Sequence, residues 1–157
     1  MRKRCILFLI VIIVLLTGCE NEEETIKNEY IAMKNNAFND VNYQSDEELP
    51  VEITSSIERT NEEEITYQVV IANPKENMHH IKAMVVHNYY NEDVFPSVGV
   101  FDEPKELLLE GEKDQCLILE DTIKTTKDIG ELDLSLKIWL EYTTDQGDIK
   151  DIYYKTT

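Results

Sequence analysis

The chain has 157 residues, with 32 acidic side chains, 15 basic side chains and a formal net charge of −17. A chain this acidic repels the phosphate backbone of nucleic acids, so we expect no nucleic-acid partner. The length fits one domain that can bury a core, and three cysteines are too few for a disulfide framework.

The N-terminus begins with Arg2, Lys3 and Arg4, and an unbroken apolar run follows over residues 6–16. This run has about half of the roughly 20 residues that a membrane-spanning helix requires. A basic start, a short apolar run and a cleavage site of small residues are the parts of a secretory signal peptide. We therefore expect residues 1–18 to be removed and the remainder to be exported.

The segment Leu16-Thr17-Gly18-Cys19 closes the apolar run. It resembles the lipobox of bacterial lipoproteins. The resemblance implies cleavage between Gly18 and Cys19, a diacylglyceryl group on the Cys19 sulfur, and fatty acylation such as palmitate. It also implies a protein held at the outer, extracytoplasmic face of the cell membrane. Two acyl chains suit such an anchor, because a single chain binds a bilayer only marginally.

Three segments precede the main domain. Residues 19–24 are acidic and predict a solvated tether. Apolar residues then recur at helical spacing, which predicts a short helix over 25–39 with Thr25 as its N-cap. The recurring positions are Ile26, Tyr30, Met33 and Ala37. Residues 40–49 are predicted to be a loop that ends at Pro50.

After Pro50 the apolar residues alternate with polar ones, which is typical of half-buried strands. Turn signals separate these runs, and the clearest is Asp145-Gln146-Gly147. We expect strands over residues 51–58, 65–72, 81–90, 95–101, 107–109, 115–120, 132–142 and 149–155. The predicted fold is all-β: an antiparallel, immunoglobulin-like β-sandwich of about seven strands over 50–157, preceded by the short helix.

The layout of residues 50–155 is similar to the immunoglobulin-like domains of small bacterial surface lipoproteins. The similarity rests on the strand count, on the turn Leu109-Glu110-Gly111-Glu112 and on the hairpin at Gly147. No cysteine pair is present to bridge the two sheets. No catalytic or ligand motif matches, so the resemblance implies no site residues.

The reactive and metal-ligating residues do not form a pattern that predicts a dedicated site. Cys116 lies in an apolar run, which predicts a buried, inert thiol. His79 and His80 are predicted to be turn residues and not metal ligands. Asp145, Asp148 and Asp151 crowd the last hairpin without matching a calcium loop, which leaves only a weak Ca²⁺ site open. We expect no metal, no cofactor and no enzymatic activity.

Aromatic residues are the candidate contacts for a partner. Trp139 is predicted on the wetter face of its strand, where a core tryptophan would not lie. In the pairs Tyr89-Tyr90 and Tyr153-Tyr154, one member of each must point outward, and exposed aromatic residues often anchor interfaces. The alternative is that these tyrosines only cover sheet faces, because tyrosine has a high strand propensity.

These observations predict a lipid-anchored, extracytoplasmic binding protein of the cell envelope that is not an enzyme. Its expected partners are the membrane, through the lipid on Cys19, and an envelope protein. The alternative is an accessory lipoprotein that binds a ligand or a cation for transport or sensing.

Overall fold

A helix and eight strands make up the part of the chain that the structure describes. The computed structural model describes residues 22–39, 42–89, 94–111 and 115–156. Contacts divide the chain into two units, one ending at Ala32 and the other spanning Met33–Thr157. Residues 22–38 are helical, and this helix includes three acidic residues that the sequence assigned to the tether. Thr25 lies inside the helix and is not its N-cap, which corrects that prediction.

Three strands form the first antiparallel sheet, in the order β1-β2-β6. They are β1 (Glu52–Asn61), β2 (Glu64–Ala72) and β6 (Cys116–Lys124). The pairing of β1 with β2 is regular from Glu52 opposite Ala72 to Arg59 opposite Ile65, and it shifts only after Arg59. Strand β2 is the centre of this sheet, because it pairs with β6 along its whole length.

Five strands form the second antiparallel sheet, in which β3 (Met78–His87) pairs with β7 (Leu136–Thr143), and β7 pairs with β8 (Ile149–Lys155). On its other side, β3 pairs with the short strands β4 (Ser97–Val98) and β5 (Lys105–Leu107). A 3₁₀ turn over Ile129–Glu131 lies between β6 and β7.

The predicted all-β antiparallel sandwich, preceded by a helix, is confirmed. Strands β1, β2 and β6 share one sheet while β3, β7 and β8 share the other. Immunoglobulin-type sandwiches also separate strands A, B and E from strands C, F and G, but they add strand D to the first group, where the described residues supply no fourth strand. The last strand has the bounds predicted for it, and the other strands differ from their predicted bounds by a few residues at the ends.

The core lies between the two sheets and is lined by the inward-facing residue of each alternating pair. Ile65, Tyr67, Val69 and Ile71 of β2 have no exposed surface, and neither does Leu140 of β7. All five belong to one buried cluster that both sheets contribute to. No helix in the described ranges has the length and apolarity needed to cross a bilayer.

Cys116 is exposed, so the prediction of a buried thiol is wrong. The burial of β6 alternates, and Leu117 and Leu119 take the core positions. Cys116 therefore falls on the outer face of the first sheet, since neighbouring strand residues point to opposite faces. The apolar run correctly predicted a strand, but it did not show which of its residues face the core.

Candidate functional site

Trp139 is buried, with 2% of its surface exposed, which corrects the prediction that it lies on a wet face. It does point away from the core between the sheets, because its neighbours Ile138 and Leu140 belong to that core. Its indole Nε1 donates a hydrogen bond to Asp151 Oδ1 at 3.1 Å. The prediction was right that Trp139 lies on the opposite face from Ile138 and Leu140, but wrong that this position is exposed to solvent.

A second apolar layer explains why Trp139 is buried. Met84 lies opposite Trp139 in the ladder and, like Val86, it is fully buried while outside the cluster between the sheets. Outward-facing sheet residues lose their exposure only where another segment covers them. The helix residues Met33 and Ala37 are also buried outside the inter-sheet cluster. The outer face of the second sheet is therefore apolar and covered.

Tyr89, Tyr153 and Tyr154, the candidate tyrosines that the structure describes, do not form one open aromatic patch. Tyr89 is half-buried against the core, and its hydroxyl shares a 2.8 Å hydrogen bond with the Thr125 hydroxyl. Tyr154 also packs against the core. Tyr153 lies opposite Trp139, and its backbone carbonyl accepts a 2.8 Å hydrogen bond from the Gln44 amide.

Burial raises the pKa of the Tyr153 hydroxyl, whereas for Tyr154 the first cause of the raised pKa is its hydrogen bond to Asp46. Tyr90 lies outside the described residues, as do the predicted lipidation and cleavage residues Cys19 and Gly18. Partner contact through the tyrosines stays a prediction.

His79 forms a charged cluster that the sequence did not predict. Its Nδ1 lies 3.0 Å from Glu106 Oε1 and its Nε2 lies 2.8 Å from Asp145 Oδ1. Asn77 donates a 3.0 Å hydrogen bond to the other oxygen of Asp145. The ring thus joins β5 to the β7–β8 hairpin, and the irregular pairing between Met78 and Ile81 places it there. His79 and His80 are both residues of β3, which corrects their prediction as turn residues.

The geometry of this cluster favours a protonated imidazole. Hydrogen bonds from the ring to Glu106 first, and then to Asp145, raise the pKa of His79 above its ordinary value of 6.5. The hydrogen bond from His79 in turn lowers the pKa of Asp145. Because both ring nitrogens are occupied by carboxylates, neither is left to ligate a metal. Within the described ranges, no group of three or more His, Cys, Asp or Glu side chains is placed to hold a metal ion.

A second polar cluster lies beside the start of β3. Tyr142 donates a hydrogen bond to Glu76 Oε1, and Lys150 Nζ lies 2.8 Å from the same oxygen. The hydrogen bond from Lys150 is the first cause of the lowered pKa of Glu76, and the one from Tyr142 is the second. Burial is the main cause of the raised pKa of Tyr142. This arrangement attaches the β2–β3 loop to the last hairpin.

The first sheet, in contrast to the second, leaves its outer face exposed or half-buried. Thr54, Ser56 and Glu58 of β1 are exposed on that face, and Ile118 of β6 is 53% exposed. Hydrogen bonds join neighbouring strands across the face, such as the 2.8 Å bond from Gln68 Nε2 to Glu120 Oε2. The face is mostly polar and accessible.

Strand β1 borders a groove of about 440 Å³. Val51 and Ile53 line it with side chains that face the core, and Glu52 and Thr54 line it from the opposite face of the strand. The groove therefore lies at the start of β1. Its remaining lining residues are Asp46, Leu49, Asn73 and Lys75.

Acidic triplets lie at both ends of β1: Asp46-Glu47-Glu48 before it and Glu62-Glu63-Glu64 after it. All of these residues are exposed except Glu64, which is half-buried. The two triplets are visible in the sequence as charge runs that flank an alternating strand. Only the sheet order shows that the strand between them is an edge.

The described residues therefore offer a polar sheet face, a groove at the start of β1 and charged clusters joined by hydrogen bonds. These features suit binding by surface complementarity. Comparison with known proteins gives no match, since no family model, no curated protein and no solved structure matches this chain.

Proposed function

We propose that the protein is a lipid-anchored binding protein of the cell envelope, held at the extracytoplasmic face of the membrane and without enzymatic activity. The observation that carries the proposal is the segment Leu16-Thr17-Gly18-Cys19 directly after a basic start and a short apolar run. A lipid on Cys19 would tether the sandwich at a membrane surface. The immunoglobulin-like division of strands supports membership of the small surface lipoproteins that the sequence resembles.

The anchor is tested by metabolic labelling with palmitate and by membrane fractionation. We expect the wild-type chain to take up the label and to sediment with membranes, while Cys19→Ser loses both properties. Cys5→Ser is the matched control, because Cys5 lies within the segment to be removed. An intact, unacylated Met1 on wild-type protein recovered from the cytosol would overturn the proposal.

Binding is tested by cross-linking the tethered protein in its own membrane. We expect defined envelope proteins to be recovered with the acylated wild type and lost with Cys19→Ser, because the tether sets the local concentration of the sandwich. If no protein is recovered above the level seen with Cys19→Ser, the binding role fails even if the lipid is present.

The second candidate is an accessory lipoprotein that binds a ligand or a cation. The groove beside β1 favours it, because a volume of about 440 Å³ lies in the range of small-molecule sites. A specific ligand would raise the melting temperature by mass action. Thermal unfolding with CaCl₂ and with MgCl₂ at the same concentration separates cation binding from the first candidate.

A further inference from the structure

We propose that the edge of β1 takes up an extended, basic segment of a partner protein as an additional strand of the first sheet. This inference rests on the proposed binding function and names the surface and the kind of partner. Main-chain hydrogen bonds at an exposed sheet edge supply the affinity in this mode, and alternate side chains supply the specificity.

The edge is long and regular. Among the described strands, β1 pairs only with β2, and the ladder continues without a bulge from Glu52 to Arg59. Natural proteins usually protect such an edge with charged side chains, above all lysine, or with bulges, prolines or very short strands. Strand β1 has 10 residues, EITSSIERTN, with no proline or lysine, and its charged residues Glu52, Glu58 and Arg59 lie toward its ends. The middle of its backbone edge is therefore open to a further strand.

The groove offers apolar contacts to the incoming segment. It lies along the first residues of β1 and is lined partly by buried apolar side chains, Leu49, Val51 and Ile53. An added strand would place every second side chain on the groove's apolar side and the others toward solvent. The eight regular pairs of β1 match a segment of about eight residues.

The acidic residues at the ends of β1 favour a basic partner segment. An acidic triplet at each end of β1, exposed except for Glu64, attracts a strand that carries basic residues at its ends. The same triplets disfavour a second copy of this chain. Antiparallel pairing of two β1 strands would bring Asp46-Glu47-Glu48 of one copy beside Glu62-Glu63-Glu64 of the other, and parallel pairing would bring identical triplets together. Like charges placed side by side oppose both arrangements.

Strand β6 is the other edge of the first sheet, and it is the natural comparison. It also pairs only with β2 among the described strands. Like β1, it carries charged residues of both signs within the strand, here Glu120, Asp121 and Lys124. Because β6 has neither the groove nor the flanking triplets, the proposal assigns the added strand to β1.

The experiment uses the purified full chain in detergent and a synthetic peptide of about eight alternating Thr and Val residues with two lysines at each end. Binding is measured by fluorescence anisotropy, and the site is located by hydrogen exchange. We expect saturable binding, with new protection of β1 amides and none of β6 amides. Two control peptides carry glutamates in place of the lysines, or prolines at alternate positions, and neither should bind.

The variant Glu47→Lys/Glu62→Lys/Glu63→Lys reverses the exposed charges at both ends of β1. We expect it to weaken peptide binding by about tenfold or more. A matched variant, Glu103→Lys/Glu110→Lys/Asp133→Lys, makes the same change in net charge at exposed positions elsewhere. It should weaken binding by less than about threefold, because distant surface charges are screened.

Any of four results overturns the proposal: no binding, protection of β6 in place of β1, equal binding of the proline peptide, or equal losses in the two charge variants. If envelope cross-linking recovers a partner while the lysine peptide fails, the edge inference is wrong and the proposed binding function stands. If the peptide binds as expected and cross-linking recovers nothing, the binding function in the envelope is what fails.

Discussion

Trp139 is the residue whose role the structure changes most. Its side chain is 2% exposed and makes a hydrogen bond to Asp151. Removing a buried tryptophan leaves a cavity, so we expect Trp139→Ala to lower the free energy of unfolding by about 3–5 kcal/mol. Urea denaturation measures this change.

The control for Trp139 is Leu109→Ala, because Leu109 is 58% exposed. We expect that change to stay within about 0.5 kcal/mol of the wild type. A cost for Trp139→Ala as small as that of the control would show that the outer face of the second sheet is not packed. It would also restore this tryptophan as a candidate contact.

His79 predicts a dependence of stability on pH. Hydrogen bonds to Glu106 and Asp145 raise its folded-state pKa above the ordinary value of 6.5. The stabilisation is therefore fully present below about pH 6.5 and disappears as the pH rises through the raised pKa. We expect His79→Gln to lower the urea midpoint at about pH 5.5 and to leave it nearly unchanged at about pH 9.

The matched control for this pH experiment is His80→Asn, because Asn tolerates the positive φ of 50° at that position.

His87 has the opposite effect of pH on stability. Burial lowers its pKa, with a smaller opposing effect of Asp121. It therefore removes stability as the pH falls below about 6.5. Each variant must be compared with the wild type at the same pH, and an equal loss for His79→Gln at both pH values would contradict the ion-pair role.

At the scale of elements, two glycines with positive φ differ in their surroundings. Gly147 has a φ of 85° in the last hairpin, and a Cβ there would meet no atom within 4 Å. Gly99 has a φ of 79°, and a Cβ there would lie 2.3 Å from the backbone oxygen of Ile81. Gly99 thus lets the chain after β4 approach β3 closely, while Gly147 only forms a turn.

We expect Gly147→Ala to cost about 1–2 kcal/mol, the usual cost of left-handed backbone in a residue with a Cβ. Gly99→Ala should cost at least about 1 kcal/mol more, because the backbone of β3 must also move. Thermal unfolding of the two variants measures the difference. Equal melting temperatures would show that β4 is not held against β3 at this point.

Local periodicity predicted most of the fold, because the alternation of apolar and polar residues within a strand indicates which side chains face the core. The alternation in β2 and β7 gave both the strands and their buried faces. Long-range placement was not predictable in this way. The sequence of β7 could not show that a second layer covers Trp139, and the irregular pairing that brings His79 to Asp145 depends on contacts between distant segments.

At the scale of the whole molecule, the dominant feature is a net charge of −17. Mutual repulsion of like charges destabilises a compact state, and added salt screens it. We therefore expect NaCl to raise the melting temperature of the full chain. This rise alone does not indicate a bound cation, which is why the cation-binding alternative needs divalent ions compared at equal ionic strength.

The decisive comparison is between CaCl₂ and MgCl₂ at the same concentration. The described residues contain no group of three or more acidic, His or Cys side chains placed to hold a metal ion. Ca²⁺ and Mg²⁺ differ in preferred coordination, so a built site would distinguish them while screening would not. We expect the two salts to give melting temperatures within about 1 °C of each other. A further, saturable rise with Ca²⁺ alone would contradict this prediction and favour the cation-binding accessory role over the binding of a protein strand.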